Sequence, residues 1–202
     1  MTFERRLLIA TTNLKKGGEM AEILGAANLG VDFATLADYP EAPEVDETGA
    51  TFLENASLKA AAAVDLTGLV SIADDGGLCI DALDGSPGVH SHRFLGADTP
   101  FEEKMTRILE RMKEVPAEKR TCRFQCAVVV LTPDGRRFDC VGTCEGRIGL
   151  EMRGAHGFGY DPIFVLPETG RHMAELSPHE KHRISHRGKA LVQAITALRT
   201  IF

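Results

Sequence analysis

Residues 121–148, TCRFQCAVVVLTPDGRRFDCVGTCEGRI, decide the fold class of this chain. Two runs rich in β-branched and aromatic residues flank TPDG at 132–135, where Pro, Asp and Gly occupy turn positions. This arrangement is typical of two antiparallel strands joined by a tight turn. The rest of the chain alternates strand-like and helix-like segments. The hairpin and its surroundings therefore predict a mixed α/β sheet with flanking helices.

The segments before the hairpin supply strands and helices in alternation. Three segments have the pattern of buried strands: 6–12, 31–36 and 69–75. Apolar residues at helical spacing follow the first strand within 15–29, and an Ala-rich helix is expected over about 51–66. Thr99, Pro100 and Glu102 match a capping box, which predicts another helix start.

The segments after the hairpin complete the predicted fold. A short strand is expected at 163–167, and residues 177–180, SPHE, repeat the cap, proline and glutamate pattern of a helix start. Ser185 precedes the last predicted helix. That placement puts His186 and Arg187 in the first helical turn, where free N–H groups and the helix dipole favour an anion.

Composition limits the partners that this chain is expected to have. The 202-residue, 21.9-kDa chain has a net charge of −6 and a sequence pI near 5.7. A surface of this charge repels polyanions, so we expect no nucleic-acid partner. The apolar run in MTFERRLLIATT is too short for a secretory signal, and no later run approaches a membrane span. We therefore expect a cytoplasmic protein with no membrane partner.

The cysteines favour a reducing compartment. They are odd in number and follow no export signal, which argues against a disulfide framework. The five residues are Cys79, Cys122, Cys126, Cys140 and Cys144. None of them has the C-x2-C spacing of a zinc site, so we interpret them as small core residues.

Residues 11–16, TTNLKK, end the first predicted strand and begin a helix. Short hydroxyl and amide side chains leave backbone N–H groups accessible, and the two lysines add positive charge, so the segment suits a phosphate group. A plain helix N-cap with solvated lysines explains the same residues. Taken alone, the segment favours that simpler interpretation.

Two aspartates end the third predicted strand. Asp74 and Asp75 precede Gly76 and Gly77, and adjacent side chains of an extended strand point to opposite faces. We therefore expect one of the two carboxylates to serve a given site. Together with Glu47 they supply the hard oxygen ligands that Mg²⁺ prefers. The alternative is that the aspartates only form a turn.

The glycine-rich stretch GAHGFGYDPIF places an aromatic ring beside polar groups. Phe158 offers a stacking surface to a nucleobase, and Asp161 is an acceptor, whereas Lys181, His186 and Arg187 are donors. Core packing of the ring and solvation of the helix start are simpler alternatives. Because ligands of open α/β sheets bind beyond the carboxyl ends of strands, the three segments together indicate a nucleoside triphosphate bound with Mg²⁺.

Five longer segments carry a family resemblance: LIATTNLKK, ETGATFLENASLKA, IADDGGLCIDALDGSPGVHSHRF, GFGYDPIF and AELSPHEKHRISHRGKAL. In this order, over nearly the whole chain, they resemble the inosine triphosphate pyrophosphatase family. The resemblance implies one elongated α/β domain, residues 1–202, with two lobes around a substrate cleft, and usually a homodimer. It also implies Mg²⁺-dependent hydrolysis of deaminated purine nucleotides (ITP, dITP and XTP) to the monophosphate and pyrophosphate.

The resemblance also assigns roles at the reacting end of the nucleotide. By motif position, Thr11, Asn13 and Lys16 are expected to hold the phosphates. Glu47 and Asp75 are expected to bind the metal ion. Asp75 is further expected to accept the proton of the attacking water.

A second set of residues is implied at the base. Phe158 is expected to stack on the purine, and the residues implied to read its edge are Asp161, Lys181, His186 and Arg187. Further residues expected to contact the substrate are Thr12, Leu14, Lys15, Gly76, Gly159 and Tyr160. Three positions depart from the usual motifs, because Thr12 and Lys15 stand where Gly is frequent and Gly76 stands where Ser often contacts the substrate.

Three other functions are compatible with parts of this pattern. The first is a pyrophosphatase for pyrimidine or other modified nucleotides, and the second is a nucleotide sensor without catalysis, suggested by Thr12 and Gly76. The third is a glycosidase with two carboxylates. The last of these explains neither the lysines after the first strand nor the basic residues at the last helix start.

Overall fold

A computed structural model of the chain describes residues 3–202, so Met1 and Thr2 of the amino-terminal run lie outside the described residues. The strands are β1 (Arg6–Ile9), β2 (Asp32–Thr35), β3 (Val70–Ile80), β4 (Thr121–Leu131), β5 (Arg137–Ile148) and β6 (Phe164–Val165). The α-helices are α1 (Leu14–Ala26), α2 (Phe52–Thr67), α3 (Phe101–Arg111), α4 (Pro178–Ile184) and α5 (His186–Ile201). Short 3-10 turns connect several of these elements.

The strands form one mixed sheet in the order β2-β1-β3-β4-β5-β6. Strand β1 pairs in parallel with β2 and with β3, whereas β5 pairs antiparallel with β6. A tight turn joins β4 to β5, closed by the Thr132 N–H donating to the Arg136 carbonyl at 3.0 Å. The predicted hairpin and the mixed α/β class are therefore confirmed.

The chain divides into two compact units. Within the described residues, the first comprises 3–75, Cys126–Gly142 and Arg187–Phe202, and the second comprises Gly76–Gln125 and Thr143–His186. Strands β3, β4 and β5 each contribute residues to both units. In the first unit, separate apolar clusters pack α1 and α5, and α2, against the strands. A third cluster fills the second unit around Phe164 and Ile108.

The predicted starts of α4 and α5 are confirmed. Ser177 caps α4 with its hydroxyl accepting from the Glu180 N–H, and Glu180 completes the capping box. Helix α5 begins at His186, so this residue and Arg187 lie in its first turn. All five cysteines are free, and four of them are buried, whereas Cys79 is partly exposed. Among the described residues, no helix combines the length and apolar character needed to cross a membrane.

Two predictions about element ends are wrong. Strand β3 does not stop at Asp75 but continues through Gly76 and Gly77 to Ile80. Thr99 does not cap α3, because the helix begins at Phe101 after Pro100 and the Thr99 hydroxyl donates to the Leu95 carbonyl at 2.7 Å.

Candidate active site

The two aspartates of β3 are buried in the first unit in different ways. The Asp74 side chain is fully buried, and Asp75 is 5% exposed. Since β3 remains extended through both residues, their side chains alternate across the strand, as the sequence predicted. The two carboxylates consequently accept side-chain hydrogen bonds from different residues, Arg187 at Asp74 and Asn55 at Asp75.

Asp75 is held by an amide and two ammonium groups. The Asn55 Nδ2 donates to Asp75 Oδ2 at 3.0 Å, and the Lys16 and Lys59 Nζ atoms each lie 3.8 Å from Asp75 Oδ1. Burial raises the pKa of Asp75, an effect that Lys59 and Lys16 oppose and that the negative charge of Glu47 reinforces. The balance leaves its pKa above that of an ordinary aspartate, which makes it a stronger proton acceptor than a solvated one.

Glu47 joins the same cluster through Lys59. The Lys59 Nζ donates to Glu47 Oε1 at 2.7 Å. Burial lowers the pKa of Lys59, but the carboxylates of Asp74, Asp75 and Glu47 outweigh burial, so its pKa is raised overall. One ammonium group thus interacts with both carboxylates that the family resemblance assigns to the metal ion.

Asp74 shares Lys16 with Asp75, since the Lys16 Nζ lies 3.9 Å from Asp74 Oδ2, and it also pairs with Arg187. The Arg187 Nε donates to Asp74 Oδ2 at 3.0 Å, and the Arg187 Nη1 donates to Glu19 Oε2 at 2.7 Å. Although burial alone would raise the pKa of Asp74, the charges of Lys16, Arg187 and Lys59 hold that pKa well below its usual range. Arg187 therefore contacts carboxylates of the first unit, and its predicted role at the base stays a prediction.

The segment after β1 has a well-defined geometry. Asn13 caps α1, because its Oδ1 accepts from the Lys15 and Lys16 N–H groups at 3.1 Å each. The Thr11 hydroxyl accepts from the Asn13 N–H at 3.2 Å. Leu14 is 86% exposed. The cap of the simpler interpretation is thereby confirmed, but its solvated lysines are not, because the Lys16 side chain is only 15% exposed and its Nζ lies within 4 Å of Asp74 and Asp75.

The carboxylates offer a partial set of metal ligands. Within residues 3–202 there is no cluster of three or more His, Cys, Asp and Glu side chains suited to a metal ion. Glu47 and Asp75 do provide two hard oxygen donors that both face the positive charge of Lys59. Because Mg²⁺ usually takes one or two protein carboxylates and completes its shell with water and phosphate oxygens, this pair fits that ion.

The residues expected at the base lie in the second unit, apart from Arg187. The buried Lys181 Nζ donates to Asp161 Oδ2 at 2.7 Å and lies 4.6 Å from the centroid of the Phe158 ring. Asp161 Oδ2 also accepts from the Phe158 N–H at 2.9 Å. The structure therefore brings the ring and the acceptor of this loop together with a donor from α4.

Tyr160 and the neighbouring glycines shape that loop. The Tyr160 hydroxyl donates to the Ser91 carbonyl at 2.8 Å, and its ring makes an edge contact with Phe101. Gly157 and Gly159 both have positive φ angles, of 74° and 67°, which a residue with a side chain adopts at a cost. Tyr160 thus anchors the loop.

His186 and Gly76 also belong to the second unit. The His186 ring is buried and stacks on the Phe124 ring with centroids 4.8 Å apart. Gly76 lies within β3 directly after Asp75. The substrate contacts expected of both residues stay predictions, as do those of Thr12 and Lys15.

Three residues that contact Arg187, Asp75 and Glu47 were not identified as site residues in the sequence. They are Glu19, Asn55 and Lys59, respectively. Helical spacing offered a clue, because Glu19 follows Lys16 by three residues and Lys59 follows Asn55 by four, so each pair shares a helix face. The partners of these residues, however, come from distant parts of the chain.

Comparison with known proteins places the chain among nucleotide hydrolases. Residues 7–197 match the model of the Ham1 family. A dITP/XTP pyrophosphatase of Exiguobacterium sibiricum is 46% identical over 195 residues, which cover 96% of this chain and 98% of that protein. A dITP/XTP pyrophosphatase of Geobacillus kaustophilus is 48% identical, covering 94% and 92%.

A solved structure agrees with this comparison. The HAM1 protein of Coxiella burnetii superimposes with a TM-score of 0.87 at 39% identity. The match covers 99% of this chain and 100% of that one. The similarity therefore extends over the fold as well as the motifs.

Proposed function

This chain belongs to the Ham1 family, and from that premise we propose that it hydrolyses dITP, XTP and ITP to the nucleoside monophosphate and pyrophosphate, with Mg²⁺. The relatives that match it over more than nine-tenths of its length are named dITP/XTP pyrophosphatases. The observation that carries the proposal is the buried Asp75, whose Oδ1 lies 3.8 Å from two ammonium groups.

Asp75 is the proposed proton acceptor. An ordinary aspartate has a pKa near 3.9 and is a weak base at neutral pH. Burial raises the pKa of Asp75, so its carboxylate takes up a proton more readily than a solvated aspartate does. It accepts the proton of a water molecule that attacks the α-phosphorus. The bond between the α-phosphorus and the oxygen that bridges to the β-phosphorus then breaks, and pyrophosphate leaves with that oxygen.

Lys16 and Lys59 are proposed to neutralise phosphate charge. Both ammonium groups already lie beside Asp75, where the reacting phosphate must approach its base. Lys16 is also in the first turn of α1, where backbone N–H groups favour anions. Positive charge in this place stabilises the negative charge that develops on the departing pyrophosphate.

Glu47 and Asp75 would hold the metal ion. When bound, Mg²⁺ neutralises triphosphate charge and lowers the pKa of coordinated water. The two residues supply hard oxygen ligands. Lys59 has to share these carboxylates with the metal ion, and its contact with Glu47 keeps that side chain directed toward the cluster.

The loop around Phe158 is proposed to select the base. Its ring would stack on the purine, and Lys181 and Arg187 would donate to the oxygen at position 6 of hypoxanthine or xanthine. The same donors would face the amino group of adenine, which is also a donor. A site built around a required hydrogen bond discriminates by about 10⁴-fold or more.

The same proposal extends to the state of the whole protein. We expect one domain with two lobes over residues 1–202, a homodimer and a cytoplasmic location. Continuity of β3, β4 and β5 through both units supports a single domain. The five free thiols are consistent with a reducing compartment.

A nucleotide panel tests the substrate class. Pyrophosphate release is measured with dITP, XTP, ITP, dGTP, dTTP and ATP, each with Mg²⁺ and with EDTA. The expected result is release from the first three only, and loss of that release in EDTA. Comparable turnover of ATP, dTTP and ITP would contradict the proposed selection of deaminated purines.

Asp75→Asn tests the catalytic assignment. This change removes the proton acceptor with little change in size, and we expect kcat for dITP to fall by about 10²- to 10⁴-fold. Asp65→Asn, on the exposed side of α2, is the matched control and should retain full activity. Undiminished Mg²⁺-dependent release by Asp75→Asn would refute the assignment of the base.

A further inference from the structure

A buried carboxamide joins two segments of the first unit. The Asn55 side chain on α2 is fully buried. Its Oδ1 accepts from the Gly49 N–H at 2.8 Å, and its Nδ2 donates to Asp75 Oδ2 at 3.0 Å. Asn55 therefore links the segment that follows Glu47 to the strand that carries Asp75.

The orientation of this carboxamide is determined by its partners. A backbone N–H can only donate, and an ionised carboxylate can only accept. Rotating the amide of Asn55 by 180° would set its NH₂ group against the Gly49 N–H and its oxygen against Asp75. The Gly49 contact thus ensures that the donor faces Asp75.

The segment around Gly49 packs closely against the start of α2. A Cβ atom at Gly49 would lie 2.7 Å from Asn55 Oδ1 and 2.6 Å from Glu54 Cβ, both shorter than real contacts of that kind. Only glycine fits at this position without displacement. Lys59, four residues after Asn55 on the same helix face, holds Glu47 in addition.

One oxygen of Asp75 is engaged by Asn55, and the other is directed elsewhere. With Oδ2 bonded to Nδ2, the Oδ1 atom is the one that lies 3.8 Å from both Lys16 and Lys59. Loss of the amide would remove the hydrogen bond that holds Oδ2 while Oδ1 lies toward the lysines. Asn55 therefore limits the carboxylate to one orientation.

We propose that Asn55 is a positioning residue, which aims Asp75 Oδ1 at the reacting centre and keeps the Glu47 segment in register with it. This inference rests on the proposed function, in which Asp75 accepts a proton and shares a metal ion with Glu47. Asn55 itself need not touch the substrate. Partners that orient metal ligands and bases typically contribute about 10- to 100-fold in activity or metal affinity.

Three variants separate positioning from general stability. Asn55→Ala removes both hydrogen bonds. Asn55→Asp keeps an acceptor for the Gly49 N–H but removes the donor to Asp75 and adds a like charge beside it. The control, Thr51→Ala, removes the side-chain cap of the same helix, which accepts from the Glu54 N–H, without touching Asp75.

The measurements are kcat and KM for dITP, thermal unfolding, and binding of Mn²⁺ by electron paramagnetic resonance without nucleotide. We expect kcat to fall about 10- to 100-fold in both Asn55 variants, with a smaller change in KM. We also expect Asn55→Ala to bind Mn²⁺ about tenfold more weakly. Thr51→Ala should lower thermal stability but keep kcat and Mn²⁺ binding.

The result that overturns the inference is a kcat within about twofold of the parent protein in both Asn55 variants. If Asn55→Ala does not fold, Asn55→Asp decides the matter through its kcat, since it retains the Gly49 bond. A parent protein that releases no pyrophosphate from dITP would overturn the proposed function instead. In that case Mn²⁺ binding decides alone: weaker binding by Asn55→Ala supports positioning, and unchanged binding refutes it.

Discussion

Asp74 and Asp75 are adjacent, yet their environments change their pKa values in opposite directions. Asp74 pairs with Arg187, and positive charge lowers its pKa despite full burial. Burial dominates at Asp75 and raises its pKa. Two carboxylates whose pKa values diverge in this way are suited to different tasks, one to structure and one to proton transfer.

At the same scale, Phe158 supports a prediction about binding. Phe158→Leu keeps an apolar side chain but removes the flat ring, and loss of one stacked base typically costs about 1–3 kcal/mol. We therefore expect KM for dITP to rise about tenfold or more, whereas Phe158→Tyr keeps the ring and should stay near the parent value. Steady-state kinetics of both variants test this, and an equal KM in Phe158→Leu and Phe158→Tyr would exclude stacking.

The identity of the carboxylates could be predicted from the sequence, but their partners could not. Two aspartates after an apolar run are a local pattern. Asn55 and Asp75 are 20 residues apart, and Glu19 and Arg187 are 168 residues apart. Only the tertiary fold brings such residues together, so composition and periodicity contain no direct information about these contacts.

Among the elements, β3 shows why a strand end was misplaced. Gly76 and Gly77 are typical of turns, and they predicted that the strand ends at Asp75. In the structure a Cβ atom at Gly77 would lie 2.2 Å from Ser91 Oγ, and the Ser91 hydroxyl accepts from the Leu78 N–H. Gly77 therefore allows close packing of a neighbouring segment within a strand, which is a different use of glycine.

Arg120 fastens the end of α3 to the strands of the second unit. Its guanidinium donates to the Ile148 and Gly149 carbonyls at 2.8 and 2.6 Å, and to the Met112 carbonyl. The residue is buried, and the three partners named are backbone carbonyl groups rather than carboxylates. Its charge is therefore stabilised by backbone dipoles.

Arg120→Met is expected to destabilise this part of the protein. The change would remove the Arg120 donors of the buried Ile148 and Gly149 carbonyls, whereas the Met112 carbonyl keeps the Val115 N–H, and each buried group left unsatisfied costs about 1–3 kcal/mol. We expect a loss of about 3 kcal/mol or more in the free energy of unfolding, measured by urea denaturation. Arg123→Met, which removes a partly exposed ion pair with Asp81, should cost less than about 1 kcal/mol. Equal losses in the two variants would contradict this account.

For the whole molecule, the hairpin and the alternation of elements were sufficient to predict a mixed α/β fold, because both are local patterns. The order of the six strands was not predictable in the same way. Strand β3 follows β2 and α2 in the chain, yet it lies beside β1 in the sheet, and β4 lies beside β3 although α3 separates the two in the chain. Strand order depends on which apolar faces pack together. Local patterns do not encode that choice.

The opposite pKa shifts of the two aspartates predict opposite effects on global stability. The pKa of Asp74 is lower in the folded protein than in the unfolded chain, so its contribution is present above about pH 4 and is lost as the pH falls through the folded pKa. The pKa of Asp75 is raised, so its contribution is present below about pH 4 and is lost as the pH rises through the folded pKa. Above its folded pKa, Asp75 therefore reduces the stability of the folded protein.

Asp74→Asn and Asp75→Asn should consequently differ in urea denaturation at pH 7 without metal or nucleotide. Asp74→Asn removes the carboxylate that the Nε of the buried Arg187 contacts, and loss of one partner of a buried pair typically costs about 3–5 kcal/mol. Asp75→Asn removes a charge that is costly to bury, so its unfolding midpoint should equal or exceed that of the parent while its activity is lost. A lower midpoint for Asp75→Asn than for Asp74→Asn would show that the assigned balance of burial and charge is wrong.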